Sequence, residues 1–244
     1  MAGGWNSRRG GGVADGHASG AMILAIDCSA SLCAACIYDE RAGRELGRNV
    51  LDLGKGHAEH LLVVIAEALT AAGIAYADLS AIAVSVGPGS FTGVRVGVAT
   101  ARGLALALNI PAIGVTTLEA LASEARESFA GRAVLAAMDG GRGEIHAALY
   151  DANGSERVAP AVLTLDDAIA AAGDLSPVLV GTAAQAIAEA AVVDLDIASQ
   201  AATADIAVYA RVAAGKGSDG EKPRPVYLRE ADAKPQAGFV LPRR

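Results

Sequence analysis

Residues 85–97 read SVGPGSFTGVRVG, and this stretch organises the chain around it. Residues 79–86, which share Ser85 and Val86 with this stretch, are a short apolar run bounded by turn residues. Such a run is typical of a buried strand. Gly87-Pro88-Gly89 predicts a sharp turn. Ser90 fits the N-cap position of a helix, where its hydroxyl accepts a backbone N–H. The sequence therefore predicts a strand, a glycine turn and the start of a helix.

The predicted helix extends from Phe91 to about Leu108. It ends at Asn109-Ile110-Pro111, because the residue before a proline avoids the helical region. Four small residues recur at every fourth position: Gly93, Gly97, Ala101 and Ala105. Such a ridge lets another backbone approach closely. The helix is apolar on nearly every face, so a sheet should cover one face and a second helix or another protein the other.

Composition favours a cytosolic α/β protein. Of the 244 residues, 52% are hydrophobic and only 4% aromatic, which suits layers of helices and sheets. The net charge of −7 argues against direct nucleic-acid binding, because the summed field repels phosphate. Cys28, Cys33 and Cys36 lack the fourth cysteine of an iron–sulfur site. We expect them to be buried, reduced thiols.

Residues 1–21 are rich in glycine and polar residues and lack the apolar core of a signal peptide. We interpret them as a disordered extension, an upstream start or a cloning remnant. After them, no stretch of about 18 apolar residues is free of a charge or a Gly or Pro break. No membrane span is therefore predicted.

The remaining predicted elements form two similar series. In the first, strands are predicted at 22–27, 32–38, 44–53, 79–86 and 112–115, with helices at 56–73 and 91–108. In the second, strands are predicted at 132–138, 144–150 and 178–180, with helices at 117–126, 165–172, 183–191 and 202–214. Each series has a strand ending in an acid before a turn, at Asp27 and at Asp139. This pattern predicts two mixed βββαβα units facing across a cleft, with a boundary near 111–116.

Two candidate sites follow from the residues alone. Gly87, Gly89 and Gly93 at a helix N-terminus can hold an anion, but their spacing matches neither a Walker A loop nor a Rossmann motif. Close packing explains these glycines equally well. His57 and His60 share a helix face, yet lack the i, i+4 spacing of zincin histidines. We predict no metal ligand and no catalytic residue.

Five segments together resemble the TsaB (YeaZ) family, a bacterial subunit of the tRNA threonylcarbamoyladenosine machinery. They are MILAID at 22–27, GHAEHL at 56–61, SVGPGSFTGVRVG at 85–97, DGGRGEI at 139–145 and PVYLR at 225–229. The resemblance implies an α/β, two-lobed actin-like fold (ASKHA, ribonuclease H-like) with duplicated mixed-sheet subdomains.

The resemblance also implies a domain division. Residues 22–114 would form the first lobe, with helix 202–214 as a candidate to complete it. Residues 115–201 would form the second lobe, and 215–244 a linker and tail.

In active relatives of this family, a phosphate turn follows the pattern Asp-x-Gly-Thr. Here the corresponding residues are Asp27-Cys-Ser-Ala-Ser31, which resemble a degraded turn. By this resemblance Asp27 and Ser29 join Gly87 and Gly89 of the glycine turn as candidates for contacting a nucleotide phosphate. The catalytic relative TsaD holds a metal through an H-x-x-x-H pair, whereas His57 and His60 are only three residues apart.

The family resemblance implies a non-catalytic, cytoplasmic scaffold that supports threonylcarbamoyl transfer to adenosine 37 of tRNA. Such a chain forms a homodimer, or a heterodimer with TsaD, through helices 57–72 and 91–108. TsaE joins through the complex, tRNA is contacted only indirectly, and no membrane is involved. The chain needs no cofactor itself, while ATP and Mg²⁺ are expected to serve the complex.

The interface residues predicted from the resemblance and from the apolar helices form one set. They are His57, His60, Leu61, Leu62, Ile65, Gly93, Val94, Gly97, Val98 and Ala101. The sequence does not separate those that contact a partner from those that pack in the core. The alternative is an enzyme in its own right, either a weak ATPase or a glycoprotease-like peptidase.

Overall fold

The computed structural model describes residues 21–217 and 222–228. The predicted N-terminal extension apart from residue 21, most of the predicted tail, and Arg229 of the PVYLR segment lie outside the described residues.

The order of elements follows the two predicted series. The strands are β1 (Met22–Asp27), β2 (Leu32–Asp39), β3 (Arg44–Asp52), β4 (Leu79–Ser85), β5 (Ala112–Val115), β6 (Val134–Gly141), β7 (Glu144–Tyr150), β8 (Glu156–Leu163), β9 (Val178–Val180) and β10 (Ile197–Ser199). The helices are α1 (His57–Ala72), α2 (Phe91–Leu108), α3 (Thr117–Ser128), α4 (Leu165–Ala172), α5 (Ala184–Ala190) and α6 (Ile206–Lys216). Short 3-10 turns at Tyr76–Asp78 and Gly173–Leu175 complete the set.

Two five-stranded mixed sheets share one topology. The first has the order β3-β2-β1-β4-β5, and the second, read in the same sense, has the order β8-β7-β6-β9-β10. In each sheet the first three strands of the series pair antiparallel. The last two strands join that hairpin in parallel. The predicted duplication of a mixed-sheet subdomain is confirmed.

The two sheets and six helices form alternating layers around three cores. Helices α1 and α2 cover the outer face of the first sheet, and α4 and α5 cover the outer face of the second. Helices α3 and α6 lie in the central core, which draws on both sheets. Along β1, Ile23 and Ala25 face the central core whereas Leu24 and Ile26 face the outer core, since successive side chains point to opposite faces. This is why β1 is apolar from Met22 to Ile26.

Helix α6 returns the chain to the first sheet after the second sheet is built. It packs against β1, β2, β4 and β5, and also against α3. Its N-cap is Asp205, whose Oδ1 accepts the Ala207 N–H at 2.9 Å. The Arg48 guanidinium of β3 donates to Asp205 at 2.7 Å, which joins the edge strand of the first sheet to this cap.

Strands β8 and β10 are absent from the sequence prediction, and both are edge strands of the second sheet. Strand β8 contains Pro160 and has no fully buried residue, so it lacks a clear alternation of apolar and polar positions. An edge strand tolerates proline because one of its sides needs no ladder hydrogen bonds. Strand β10 has only three residues, too few to show a period.

Helix α2 is the one helix of the described ranges that could cross a membrane by length and composition. It has 18 residues and a mean hydropathy of 1.2, and it carries Arg95 and Arg102. A third of the helix is buried, against β1, β4 and α1. The core helix of a soluble protein meets the same criteria of length and hydropathy, so these numbers alone are weak evidence for a membrane span.

Candidate functional site

The turn after β1 and the glycine turn before α2 pack directly on each other. The Ser90 N–H donates to the carbonyl oxygen of Ser29 at 2.6 Å. A Cβ atom on Gly89 would overlap that same carbonyl, and one on Gly93 would overlap the carbonyl oxygen of Cys28. Backbone approach this close is possible only without side chains. The structure therefore favours close packing as the reason for Gly89 and Gly93.

Helix α2 begins as the sequence predicts. The Ser90 hydroxyl accepts the Gly93 N–H at 3.2 Å, which confirms Ser90 as the N-cap. Of the first N–H groups, those of Ser90 and Gly93 are thus engaged within the chain. Gly87 has a φ of 91°, a conformation that favours glycine, so it shapes the turn, and its carbonyl oxygen accepts the Thr117 N–H at 2.9 Å.

Asp27 ends β1 and is almost completely buried, with 1% of its surface exposed. Its Oδ1 accepts the Ser29 N–H at 2.8 Å, and its Oδ2 accepts the Thr203 hydroxyl at 2.7 Å. Both carboxylate oxygens therefore have a donor inside the chain. Asp27, Gly89 and Gly93 are thus all engaged in contacts within the chain, and phosphate contacts by Asp27 and Gly89 stay a prediction. Phosphate contacts by Ser29 and Gly87 stay a prediction.

A buried group of hydroxyls extends from Asp27 toward α3 and α6. We define the hydroxyl cluster as Asp27, Ser29, Thr117, Thr203 and Tyr209. The hydroxyls of Thr203 and Tyr209 lie 2.7 Å apart. Burial, followed by the charge of Asp27, raises the pKa of the Tyr209 phenol, so it stays a neutral hydrogen-bonding group. Ser29 Oγ and Thr117 Oγ1 have no hydrogen-bond partner among the described residues.

Sequence reasoning missed Thr117, Thr203 and Tyr209. Thr203 and Tyr209 lie more than 170 residues from Asp27 along the chain, and no motif marks any of the three. Only the return of α6 to the first sheet brings Thr203 and Tyr209 to the Asp27 turn.

The second sheet repeats this turn with a different outcome. Asp139 occupies the position in β6 that Asp27 occupies in β1, but it is exposed. Its Oδ1 accepts the Gly141 N–H at 2.7 Å, and its own N–H donates to the Thr182 hydroxyl at 2.9 Å. Asp27 and Asp139 therefore stabilise equivalent turns, but only Asp27 is buried.

The structure separates the predicted interface residues into two groups. Eight are buried within the chain: His57, Leu61, Ile65, Gly93, Val94, Gly97, Val98 and Ala101. The ridge of small residues on α2 faces the first sheet, since a Cβ on Gly97 would lie 3.6 Å from Val84 Cγ2. The close approach that this ridge permits is made by the chain's own first sheet, and a contact of these residues with a partner stays a prediction. His60 and Leu62 are the two residues of the set on the surface.

His57 and His60 do not form a pair. His57 is buried, and its Nε2 has no hydrogen-bond partner among the described residues, whereas His60 is exposed. No group of three or more His, Cys, Asp or Glu side chains in residues 21–217 and 222–228 is placed to hold a metal ion.

Large apolar side chains remain exposed on the side of α1 and α2 that faces away from the sheet. Leu62 and Val63 of α1 are 60% and 53% exposed, and Leu106 of α2 is 82% exposed. The two helices contact each other. We define the outer α1–α2 face as the exposed residues of both helices around these side chains: Leu62, Val63, Ala66, Ala99, Gly103 and Leu106.

A segment near the C-terminus borders the start of α2. The Val226 N–H donates to the carbonyl oxygen of Val86 at 2.8 Å. The Arg95 guanidinium lies 3.4 Å above the centre of the Phe91 ring, and its Nε donates to the Tyr227 hydroxyl at 2.8 Å. Residues 222–228 are thereby tied to the glycine turn that opens α2.

Comparison with known proteins identifies the family. The sequence model of the family described as "TsaD: tRNA N6-adenosine threonylcarbamoyltransferase" matches residues 52–219. The tRNA threonylcarbamoyladenosine biosynthesis protein TsaB of Escherichia coli is 38% identical over 137 residues. That match covers 54% of this chain and 57% of the E. coli protein, so the chain spans just over half of that relative.

The structure agrees with the sequence match. YeaZ from Pseudomonas aeruginosa has a TM-score of 0.69 and 30% identity, and the alignment covers 85% of this chain and all of that one. The chain belongs to the TsaB (YeaZ) family. The family resemblance carried by the five sequence segments is therefore confirmed.

More distant neighbours of this TsaB-family chain show the fold alone. The inorganic polyphosphate/ATP-glucomannokinase from an Arthrobacter species is 15% identical, with a TM-score of 0.50 over 81% of this chain and all of that one. Together with the duplicated sheets, this likeness confirms the two-lobed actin-like fold.

Proposed function

We propose that this chain is a non-catalytic subunit of the machinery that makes threonylcarbamoyladenosine in tRNA. Its outer α1–α2 face docks TsaD, and TsaD carries out the transfer to adenosine 37. The similarity to the E. coli threonylcarbamoyladenosine biosynthesis protein and the match to the TsaD family model support this role.

The exposure of Leu62 and Leu106 on neighbouring helices is the observation that carries the proposal. Large apolar side chains exposed on two helices that contact each other are typical of an interaction site. The buried residues of the predicted interface set hold this face in place, since Leu61, Ile65 and Val98 pack α1 and α2 against the first sheet. Docking therefore needs no rearrangement of the core.

The arrangement at Asp27 supports a non-catalytic role. In an enzyme centred on this turn, the carboxylate must reach a substrate, a metal-bound water or a phosphate. Here both oxygens are used by Ser29 and Thr203, and the residue is buried. ATP and Mg²⁺ are accordingly proposed to serve the complex rather than this chain. TsaE joins through the complex, and the net charge of −7 fits an indirect contact with tRNA.

We expect Leu106→Glu and Leu62→Glu each to weaken TsaD binding by about tenfold, because a charge placed in an apolar contact loses its hydration without a partner. The matched control is Val192→Glu, at a fully exposed position after α5 in the second sheet's layer. Binding is measured by titration calorimetry with TsaD from the same organism. Light scattering coupled to gel filtration reports the composition of the complex.

Equal binding by all three variants would contradict docking at this face. If only self-association of this chain is lost, a second copy and not TsaD occupies the face. The enzyme alternative is examined with the same protein, because an ATPase or peptidase centred on Asp27 would turn over substrate without TsaD and lose that turnover in Asp27→Asn.

A further inference from the structure

Two of the three cysteines face each other across the β1–β2 hairpin. The antiparallel register pairs Ile26 with Ala35 and Asp27 with Ala34. Continued by one step past the end of β1, this register brings Cys28 opposite Cys33, and the two thiols contact each other. Opposite residues of an antiparallel pair have Cα atoms about 4.5 to 5.5 Å apart, within the range of about 4.4 to 6.8 Å that a disulfide spans.

The third cysteine is kept apart from this pair. Cys28 and Cys33 belong to the outer core beneath α1 and α2, whereas Cys36 points to the central core on the other face of β2. All three are fully buried and free. The fold therefore allows a disulfide between Cys28 and Cys33 only. Cys36 serves as an internal reference thiol that should not be oxidised with them.

We propose that Cys28 and Cys33 are a dithiol modification site that hydrogen peroxide oxidises to an intramolecular disulfide in the folded chain. Both thiols are buried, so peroxide reaches the pair only during a local opening of the turn that joins the two strands, where Ser31 lies on the surface.

The two thiols differ in a way that suits this reaction. The contact between the two thiols, followed by burial, raises the pKa of Cys28. The same contact lowers the pKa of Cys33. Cys33 is thus the better nucleophile, because the thiolate and not the thiol attacks.

The oxidation balances in two steps. The Cys33 thiolate attacks one oxygen of the peroxide, the O–O bond breaks, and hydroxide leaves and takes up the proton released from Cys33. The Cys28 sulfur then attacks the resulting sulfenic sulfur, an S–S bond forms, and the oxygen leaves as water with the Cys28 proton. Two electrons pass from the two thiols to the peroxide, which becomes two water molecules.

The pair lies directly under the start of α2. The Cys28 carbonyl faces Gly93, and its Cβ lies 3.8 Å from where a Cβ on Gly97 would stand. A disulfide formed here would therefore change packing at the N-terminal half of the helix that carries part of the outer α1–α2 face.

The test counts free thiols in the full chain after exposure to hydrogen peroxide. The protein is treated in native buffer, quenched with catalase, denatured and alkylated with iodoacetamide. Residues 10–41 contain all three cysteines and no Lys or Arg before Arg41, so trypsin releases them in one peptide. The mass of that peptide reports how many thiols were alkylated, and its fragments report which.

We expect alkylation to fall from three thiols to one, with Cys36 remaining, and to return to three after treatment with dithiothreitol. The control Cys36→Ala should fall from two to none. Cys28→Ala and Cys33→Ala should form no intramolecular disulfide. Retention of all three thiols in native buffer, consumption of Cys36 together with the others, or disulfides formed only between chains would each overturn the proposal.

Discussion

Gly93→Ala is expected to lower the free energy of unfolding by about 3 kcal/mol, although alanine is the better helix former. The new Cβ would overlap the carbonyl oxygen of Cys28. A backbone carbonyl cannot rotate away as the end of a flexible side chain does. Either α2 must shift away from β1 or the turn after β1 must deform, and both disturb the outer core.

Gly103→Ala is the matched control on the same helix. No atom lies within 4 Å of a Cβ at Gly103, so this variant should gain about 1 kcal/mol from helix propensity alone. The stability of both variants is measured by urea unfolding, monitored by far-ultraviolet circular dichroism. If the two variants changed stability in the same direction by similar amounts, close backbone packing at Gly93 would be refuted.

Thr203→Val should also lower the free energy of unfolding by about 3 kcal/mol, for a different reason. The substitution keeps the shape of the side chain but removes the hydroxyl that donates to Asp27 and contacts the Tyr209 phenol. Asp27 keeps the Ser29 N–H on Oδ1, but its Oδ2 would be buried without a donor, which is costly for a carboxylate. The hydroxyl cluster would be left with a charge and a phenol that lack their central partner.

Thr70→Val provides the comparison for Thr203→Val. Thr70 is exposed on α1, and its hydroxyl bonds only to the Ala66 carbonyl, so its loss should change stability by less than about 0.5 kcal/mol. Both variants are unfolded in urea under identical conditions. If Thr203→Val lowered the free energy of unfolding by less than about 1 kcal/mol, water would have to replace the hydroxyl. The hydroxyl cluster would then be accessible to water.

The elements of the first sheet could be predicted from sequence because each has a strong local signal. Strand β1 is an unbroken apolar run, and α2 has an N-cap serine, an apolar body and a stop before Pro111. The second sheet was predicted less completely, since β8 and β10 are edge strands whose exposure removes the apolar pattern. The duplication itself was visible because Asp27 and Asp139 mark equivalent turns.

The candidate site was only half predictable. The sequence identified α1 and α2 as apolar on more than one side, but it did not reveal which residues face the sheet. In α2 the small residues Gly93 and Gly97 turn inward, because the close approach is to the chain's own β1 and β4. Leu106, the most exposed large side chain of that helix, was absent from the predicted set.

The return of α6 to the first sheet determines the order in which the chain can fold during synthesis. Tyr209 and Val208 complete the central core against strands made more than 90 residues earlier. When only the residues up to the end of β5 have emerged from the ribosome, the inner face of the first sheet is therefore exposed. Domains generally fold as units from the N-terminal end, but here the first lobe must wait for the second. Until α6 is made, the first sheet lacks the helix that packs on its inner face.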